Sequence, residues 1–191
     1  DVYKRQVLKE AQEKGYAEAD PTSDIESYDA QYKLAILAAL AFGTKIDVAN
    51  VYREGITKIT AVDMKYASEF KMAIKLLAIA KEVDGKVELR VHPTMIPKKH
   101  PLANVYDSYN AVFIKGNAVG DLMFYGRGAG DLPTGSAVVS DIVSIVRSNV
   151  NSENENPVVK NNLWKREIKA MNEVRSKYYV CLLYTSPSPR D

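Results

Sequence analysis

The chain has 191 residues, 46% of them hydrophobic and 26% charged, an ordinary globular balance that excludes a disordered tail, a collagen-like fibre and a disulfide scaffold. Lysine plus arginine at 26 against aspartate plus glutamate at 24 leaves a net charge of +2 and no basic stripe, so a nucleic-acid partner is not expected. The longest apolar run, Leu34 to Phe42, is about half of the roughly 20 residues a membrane span needs, and no charged-then-apolar leader opens the chain, so a soluble, cytoplasmic protein without membrane partners is expected.

In chain order, Asp1 to Gln6 come first. They can be encoded by DNA resembling the transposase mosaic end of sequencing libraries. The reverse complement of that DNA encodes Cys181 to Ser186, and Pro187 to Asp191 resemble the adapter beyond it. Residues 1–6 and 181–191 are therefore expected to be adapter-derived scars around a natural segment, 7–180, which contains no cysteine. Val7, Leu8 and Ala11, stopped by Gly15, read as the end of a helix. Tyr16 to Tyr28, rich in Asp, Pro, Ser and Thr, reads as loop. Asp29 to Phe42 reads as a helix with Ser27 or Asp24 as cap and Gly43 as stop; it is apolar on nearly every face after Lys33, which predicts burial on all sides. Short helical patterns follow over Val48–Glu54 and Ala61–Phe70.

The period then shifts toward two. Met72–Val83, an Asp84-Gly85 turn and Lys86–Met95 predict a hairpin, expected to supply sheet core and a subunit interface. Tyr109–Lys115, a turn at Gly116-Asn117 and Val119–Tyr125 predict a second. The expected fold class is α+β: a mixed, largely antiparallel sheet of at least four strands covered by helices. A glycine-rich turn, Tyr125 to Gly130, leads past Pro133 into a helix over Thr134–Val150. Asn151 to Asn156 read as a linker, Leu163–Val174 as a short amphipathic helix, and Lys177–Val180 as the beginning of a strand.

Lys33 is the physically odd residue. It fronts a helix whose next nine residues are all apolar, where an ammonium is disfavoured by several kcal/mol without a partner. Asp29, one turn earlier on the same face, can be that partner. Spacing alone fits an ordinary surface ion pair, contributing about 0.3–0.5 kcal/mol. Just ahead, however, Glu18, Asp20, Asp24 and Glu26 place four carboxylates within nine residues. Such a cluster beside one ammonium offers acceptors for a substrate's amino group and a proton donor for its oxygen, which suits a small zwitterionic amino acid undergoing carbonyl reduction or alcohol oxidation. His92 and His100 are eight residues apart and each is followed by Pro, so no metal site is expected, and Arg127 reads as a solvated turn arginine.

The stretch Gly15 to Thr44, GYAEADPTSDIESYDAQYKLAILAALAFGT, resembles the active-site signature of homoserine dehydrogenase. VYREGI (Val51 to Ile56), IKLLAIAK (Ile74 to Lys81), RVHPTMIPKKHPLANV (Arg90 to Val105) and GAGDLPTGSAVVSDI (Gly128 to Ile142) follow in that family's order. The resemblance implies that Lys33 is the catalytic lysine, donating a proton in reduction and accepting one in oxidation. It implies that Glu18 and Asp29 hold homoserine, with Asp24 and Tyr16 lining the same pocket, and that Gly15 and Gly130, with Gly128 beside them, let the backbone approach the nicotinamide.

The implied reaction is NAD(P)H-dependent reduction of L-aspartate 4-semialdehyde to L-homoserine, in threonine and methionine biosynthesis, by a homodimer built on the sheet. The implied organisation is a substrate-binding and dimerisation domain over residues 7–150, a linker and short helix over 151–176, and over 177–180 the beginning of an ACT-type regulatory domain, on the likeness of EVRSKYYV (Glu173 to Val180). The family's Rossmann domain, second active-site lysine and sodium-ligating segment would lie upstream of Val7, so the chain alone is expected not to turn over. A non-catalytic dimerisation module is the competing expectation. A dehydrogenase that uses a cysteine nucleophile does not fit a natural segment without cysteine.

Overall fold

The structure, a computed structural model, describes residues 20–151 and 165–182 together with residues 6, 9, 10 and 12. The helix end expected from Val7, Leu8, Ala11 and Gly15, the linker from 152 onward, and the expected scar residues other than Gln6, Cys181 and Leu182 lie outside the described residues.

Helix α1, Thr22–Ile25, is one turn set by Asp20, whose carboxylate accepts from the Thr22 backbone N–H at 3.0 Å and from its hydroxyl at 2.6 Å. Ser27, left-handed at φ 66°, turns the chain into helix α2, Tyr28–Phe42. Gly43, left-handed at φ 59°, ends it, as expected of a glycine at that position. The α2 sequence is apolar all round, yet only one face is buried, through Gln31, Leu34, Ala35 and Ala38. Ile36, Leu37 and Leu40 are exposed, which corrects the expectation of burial on every side. The reason is geometric: the sheet packs under one side of the helix, and composition cannot say which.

A 3-10 turn at Val48–Asn50 then leads into strand β1, Tyr52–Arg53, where a helix was expected. The extended backbone wins there because β1 pairs parallel with a later strand. Helix α3, Ala61–Glu69, matches its pattern and opens with a capping box: Thr60 accepts from the Asp63 N–H, and the Asp63 carboxylate accepts from the Thr60 N–H. Strands β2, Met72–Val83, and β3, Lys86–Pro97, form the expected hairpin, with Asp84 at φ 54° and Gly85 at φ 76°, the two positive angles of a type I′ turn. The resulting three-stranded sheet has the order β1-β3-β2, with Tyr52 opposite Arg90 and Arg53 opposite Val91.

Strands β4, Tyr109–Gly116, and β5, Gly120–Arg127, pair in a separate two-stranded sheet, so among the described residues five strands divide into a mixed sheet and an antiparallel hairpin. The α+β class holds; no single sheet gathers four strands among them. The connection runs over Asn117 to Val119, because Gly120, at φ 74°, takes the left-handed position that a longer hairpin loop requires. Helix α4, Asp131–Asn151, begins three residues earlier than predicted, with Pro133 in its first turn, where a missing N–H costs nothing.

The core lies between α2 and the sheet: Leu34 and Ala38 meet Val51, Val87, Leu89 and Val91. Each fully buried valine or leucine contributes about 1.5–3 kcal/mol. On the opposite face of β3, Glu88 and Arg90 are buried as an ion pair at 2.9 Å, with Lys169 at 3.3 Å from the second oxygen of Glu88. The segment bringing Lys169 was expected to be helical over Leu163–Val174. Its described part, from residue 165, instead runs extended at Ile168, where the Val87 N–H donates to the Glu167 carbonyl and the Lys169 N–H to the Val87 carbonyl; only Met171–Glu173 turn, as a 3-10 helix. Backbone groups drawn to an open strand edge cannot also close a helix. Lys177–Val180, expected to begin a strand, join none among the described residues.

Candidate functional site

The first two turns of α2 carry the two charged residues singled out by the sequence. Lys33 Nζ lies 2.6 Å from an Asp29 carboxylate oxygen, with 64% of the lysine side chain and 45% of the aspartate side chain exposed. Both stand on the face of α2 turned away from the sheet. At about 100° per residue, Ile36, Leu37 and Leu40 fall on that same outer face. The pair therefore heads an uncovered apolar stripe. An ammonium held at short range by one carboxylate, open to solvent and bordered by hydrocarbon, can hold or release a proton to an oxygen placed on that surface.

The four-carboxylate cluster ahead of the helix divides by role. Asp20 is engaged by Thr22, and those hydrogen bonds hold its carboxyl below the usual aspartate value. Glu26 turns toward Arg53, 3.9 Å from its guanidinium. Asp24 stands exposed on α1, free of both arrangements. Glu18, Tyr16 and Gly15 lie outside the described residues. Of the expected substrate-facing residues, then, Lys33 and Asp29 are brought together and Asp24 sits one short helix ahead of them.

Several residues that hold this region were not anticipated individually. The Ser27 hydroxyl is buried and donates to the Glu54 carbonyl at 3.2 Å. Gln31 is buried and donates through Nε2 to the carbonyls of Val48 and Val51. Arg53 donates to the Glu26 carbonyl and lies 3.6 Å over the Tyr28 ring. Gly55 packs so closely that an added Cβ would come within 2.7 Å of the Ile25 carbonyl oxygen. Tyr52 donates to Glu54 at 3.3 Å; its own burial, followed by the Glu54 charge, pushes its phenol up. The available signals were the VYREGI run, which supplies Arg53, Glu54 and Gly55, and the lone amide Gln31 on an otherwise small and apolar face.

Gly128 and Gly130 lie between β5 and α4. Gly130 adopts φ +113°, which calls for glycine, whereas an added Cβ at Gly128 would meet the end of the Asn110 side chain. The two glycines lie just ahead of the first turn of α4, Gly128 exposed and Gly130 half-buried. Arg127, beside them, lies 5.5 Å from the Tyr109 ring centroid. His92 and His100 serve local structure: the Thr94 hydroxyl is 3.2 Å from His92 Nδ1, and the Leu102 N–H donates to His100 Nδ1 at 3.2 Å. Among the described residues no group of three potential ligands gathers for a metal, and no helix is long and apolar enough to cross a membrane.

Known proteins of one family are similar to this chain. The homoserine dehydrogenase family model matches residues 3–143. Homoserine dehydrogenase of Neisseria gonorrhoeae is 46% identical over 179 residues, a match spanning 91% of this chain and 41% of the relative. A homoserine dehydrogenase structure from Thiobacillus denitrificans superposes with a TM-score of 0.83 at 46% identity, over 89% of this chain and 40% of that one. One from Staphylococcus aureus at pH 6.5 gives 0.69 at 44% identity, over 80% and 39%. The chain thus spans about two fifths of the length of these relatives.

Proposed function

The chain belongs to the homoserine dehydrogenase family, and on that premise we propose that it is the substrate-side part of an enzyme interconverting L-aspartate 4-semialdehyde and L-homoserine with NAD(P)H. The observation that carries the reading is the Asp29–Lys33 pair at 2.6 Å on the uncovered face of α2.

In this reading Lys33 Nζ delivers a proton to the aldehyde oxygen as negative charge gathers there, and takes it back in the oxidation. Asp29 keeps the ammonium at a fixed place through a charge-assisted hydrogen bond. The stripe of Ile36, Leu37 and Leu40 borders the pair with hydrocarbon, so the charge acts in a poorly hydrated setting once the surface is covered. Asp24, with Glu18 and Tyr16, receives the substrate's α-ammonium and hydroxyl groups. Gly128 and Gly130, with Gly15, give the nicotinamide backbone to lie against; the dinucleotide, when bound, supplies the hydride.

Residues 7–150 act as the substrate-binding and dimerisation domain, 151–176 as a linker, and 177–180 as the beginning of an ACT-type domain, between adapter-derived ends at 1–6 and 181–191. The dinucleotide is held mainly by a part of the parent enzyme beyond this chain, two copies associate through the sheet, and the parent works in the cytoplasm in threonine and methionine synthesis. The test is Lys33→Ala in the intact parent. Turnover should fall by about a hundred- to ten-thousandfold, with an unchanged circular dichroism spectrum. Retention of half the activity would overturn the assignment and favour a non-catalytic module.

A further inference from the structure

The buried amide behind the charged pair is built as an orienting device. Gln31 donates from a single nitrogen to two carbonyls of the facing turn, Val48 at 3.2 Å and Val51 at 2.8 Å. That turn, Val48–Asn50, runs directly into β1, which is paired to β3 in the sheet. The amide thus ties α2 to the sheet through two fixed directions. A contact made by hydrocarbon alone would let the helix roll; two hydrogen bonds from one NH2 group define an angle about the helix axis.

Asp29 and Lys33 stand two residues on either side of Gln31. At about 100° per residue each lies roughly 160° around the axis from it. Fixing the buried amide therefore fixes where the opposite face points. A second tether acts at the same end of the helix, where Arg53 stacks on Tyr28 at 3.6 Å and the buried Ser27 hydroxyl donates to the Glu54 carbonyl. Gln31 touches neither Lys33 nor any surface a substrate can reach, since it is 8% exposed on the inner side of α2.

We propose that Gln31 is a positioning residue for proton transfer: its two hydrogen bonds to Val48 and Val51 set the rotation of α2 and hence the direction of the Lys33 ammonium. This rests on Lys33 being the proton donor. A displacement on the order of 1 Å at a reacting group lowers rate by about a hundredfold, so the amide should matter to turnover out of proportion to its distance from the chemistry.

The experiment compares Gln31→Met, Lys33→Ala and the double variant in the intact parent, with steady-state kinetics and thermal melts for each. Met keeps the length and the packing but donates nothing. The expected result is a kcat lowered about ten- to a hundredfold in Gln31→Met with KM within about twofold. The residual rate of Lys33→Ala should change less than about twofold when Gln31→Met is added, because a residue acting only through Lys33 has nothing left to act on. Full kcat in Gln31→Met, or an equal further loss in the double variant, would overturn the proposal and leave the Lys33 assignment standing. An undiminished Lys33→Ala would instead remove the Lys33 assignment and the proposal with it. Should Met prevent folding, Gln31→Ala, which leaves its neighbours room, carries the same comparison.

Discussion

Two ion pairs in this chain have opposite physics. Asp29–Lys33 is exposed, so its contribution to stability is about 0–1 kcal/mol, and Asp29→Asn should barely move a urea midpoint. Glu88–Arg90 is buried on both sides at 6–7% exposure, and Arg90→Leu would leave the Glu88 carboxylate with Lys169 alone; it should cost about 1–3 kcal/mol in denaturant unfolding. Burial pulls the Glu88 carboxyl upward, but the hydrogen bonds from Arg90 and Lys169 outweigh it and hold the group below the ordinary 4.5. A carboxyl lowered in the folded state stabilises fully above that ordinary value and loses its contribution as pH falls through the folded one. The stability gap between the native chain and Glu88→Gln should therefore be widest near neutrality and close below pH 4.5; a gap that widens on acidification would contradict the assignment. At this scale the sequence showed the Asp29 and Lys33 spacing directly, because one helical turn joins them. It could not show that Glu88 and Arg90 are buried, since two charges in an alternating strand read as a solvent face until the segment around Lys169 covers them.

At the scale of elements, legibility followed the range of the interactions. The β2–β3 hairpin was predicted almost to its ends because Asp84-Gly85 fixes it locally, and α3 because Thr60 and Asp63 close a capping box within four residues. The failures were Val48–Glu54 and Leu163–Val174. Both have apolar spacing that a helix could use, and the first, with the described part of the second, surrenders it to the one edge of β3 that β2 leaves open, a partner far off in sequence. Glycine gives a matching test. Gly43 needs its positive φ but has open space around a Cβ, so Gly43→Ala should cost about 1 kcal/mol. At Gly55 a Cβ would press on the backbone of Ile25 and Glu26, and Gly55→Ala should cost about 1–3 kcal/mol or more. Chemical denaturation of the two variants side by side reads the difference, and equal losses would mean that the α1–α2 turn yields easily.

For the whole molecule the open question is what lies over its apolar faces. Val139, Ile142 and Val146 on α4 are each more than half exposed, as are Phe124 and Tyr125 on β5. Val139, Ile142 and Val146, spaced i, i+3 and i+7, share one face of α4, and an exposed apolar helix face of this kind belongs against other protein. The purified chain should enhance the fluorescence of an apolar dye such as ANS, and Ile142→Lys with Val146→Lys should lower that signal without lowering the urea midpoint. A midpoint that collapses would place the α4 face in the chain's own core.

By itself, the sequence determined the α+β class, both hairpins, the Gly43 stop and the pairing of Asp29 with Lys33, all of which depend on residues close together along the chain or on a long motif in fixed order. Tertiary structure alone decided which side of an all-apolar helix faces the sheet, that Gln31 ties that side to Val48 and Val51, and that Ile168 joins β3 as an edge. Those outcomes turn on groups tens of residues apart competing for the same carbonyls and the same buried surface, a contest settled only once the chain has closed on itself.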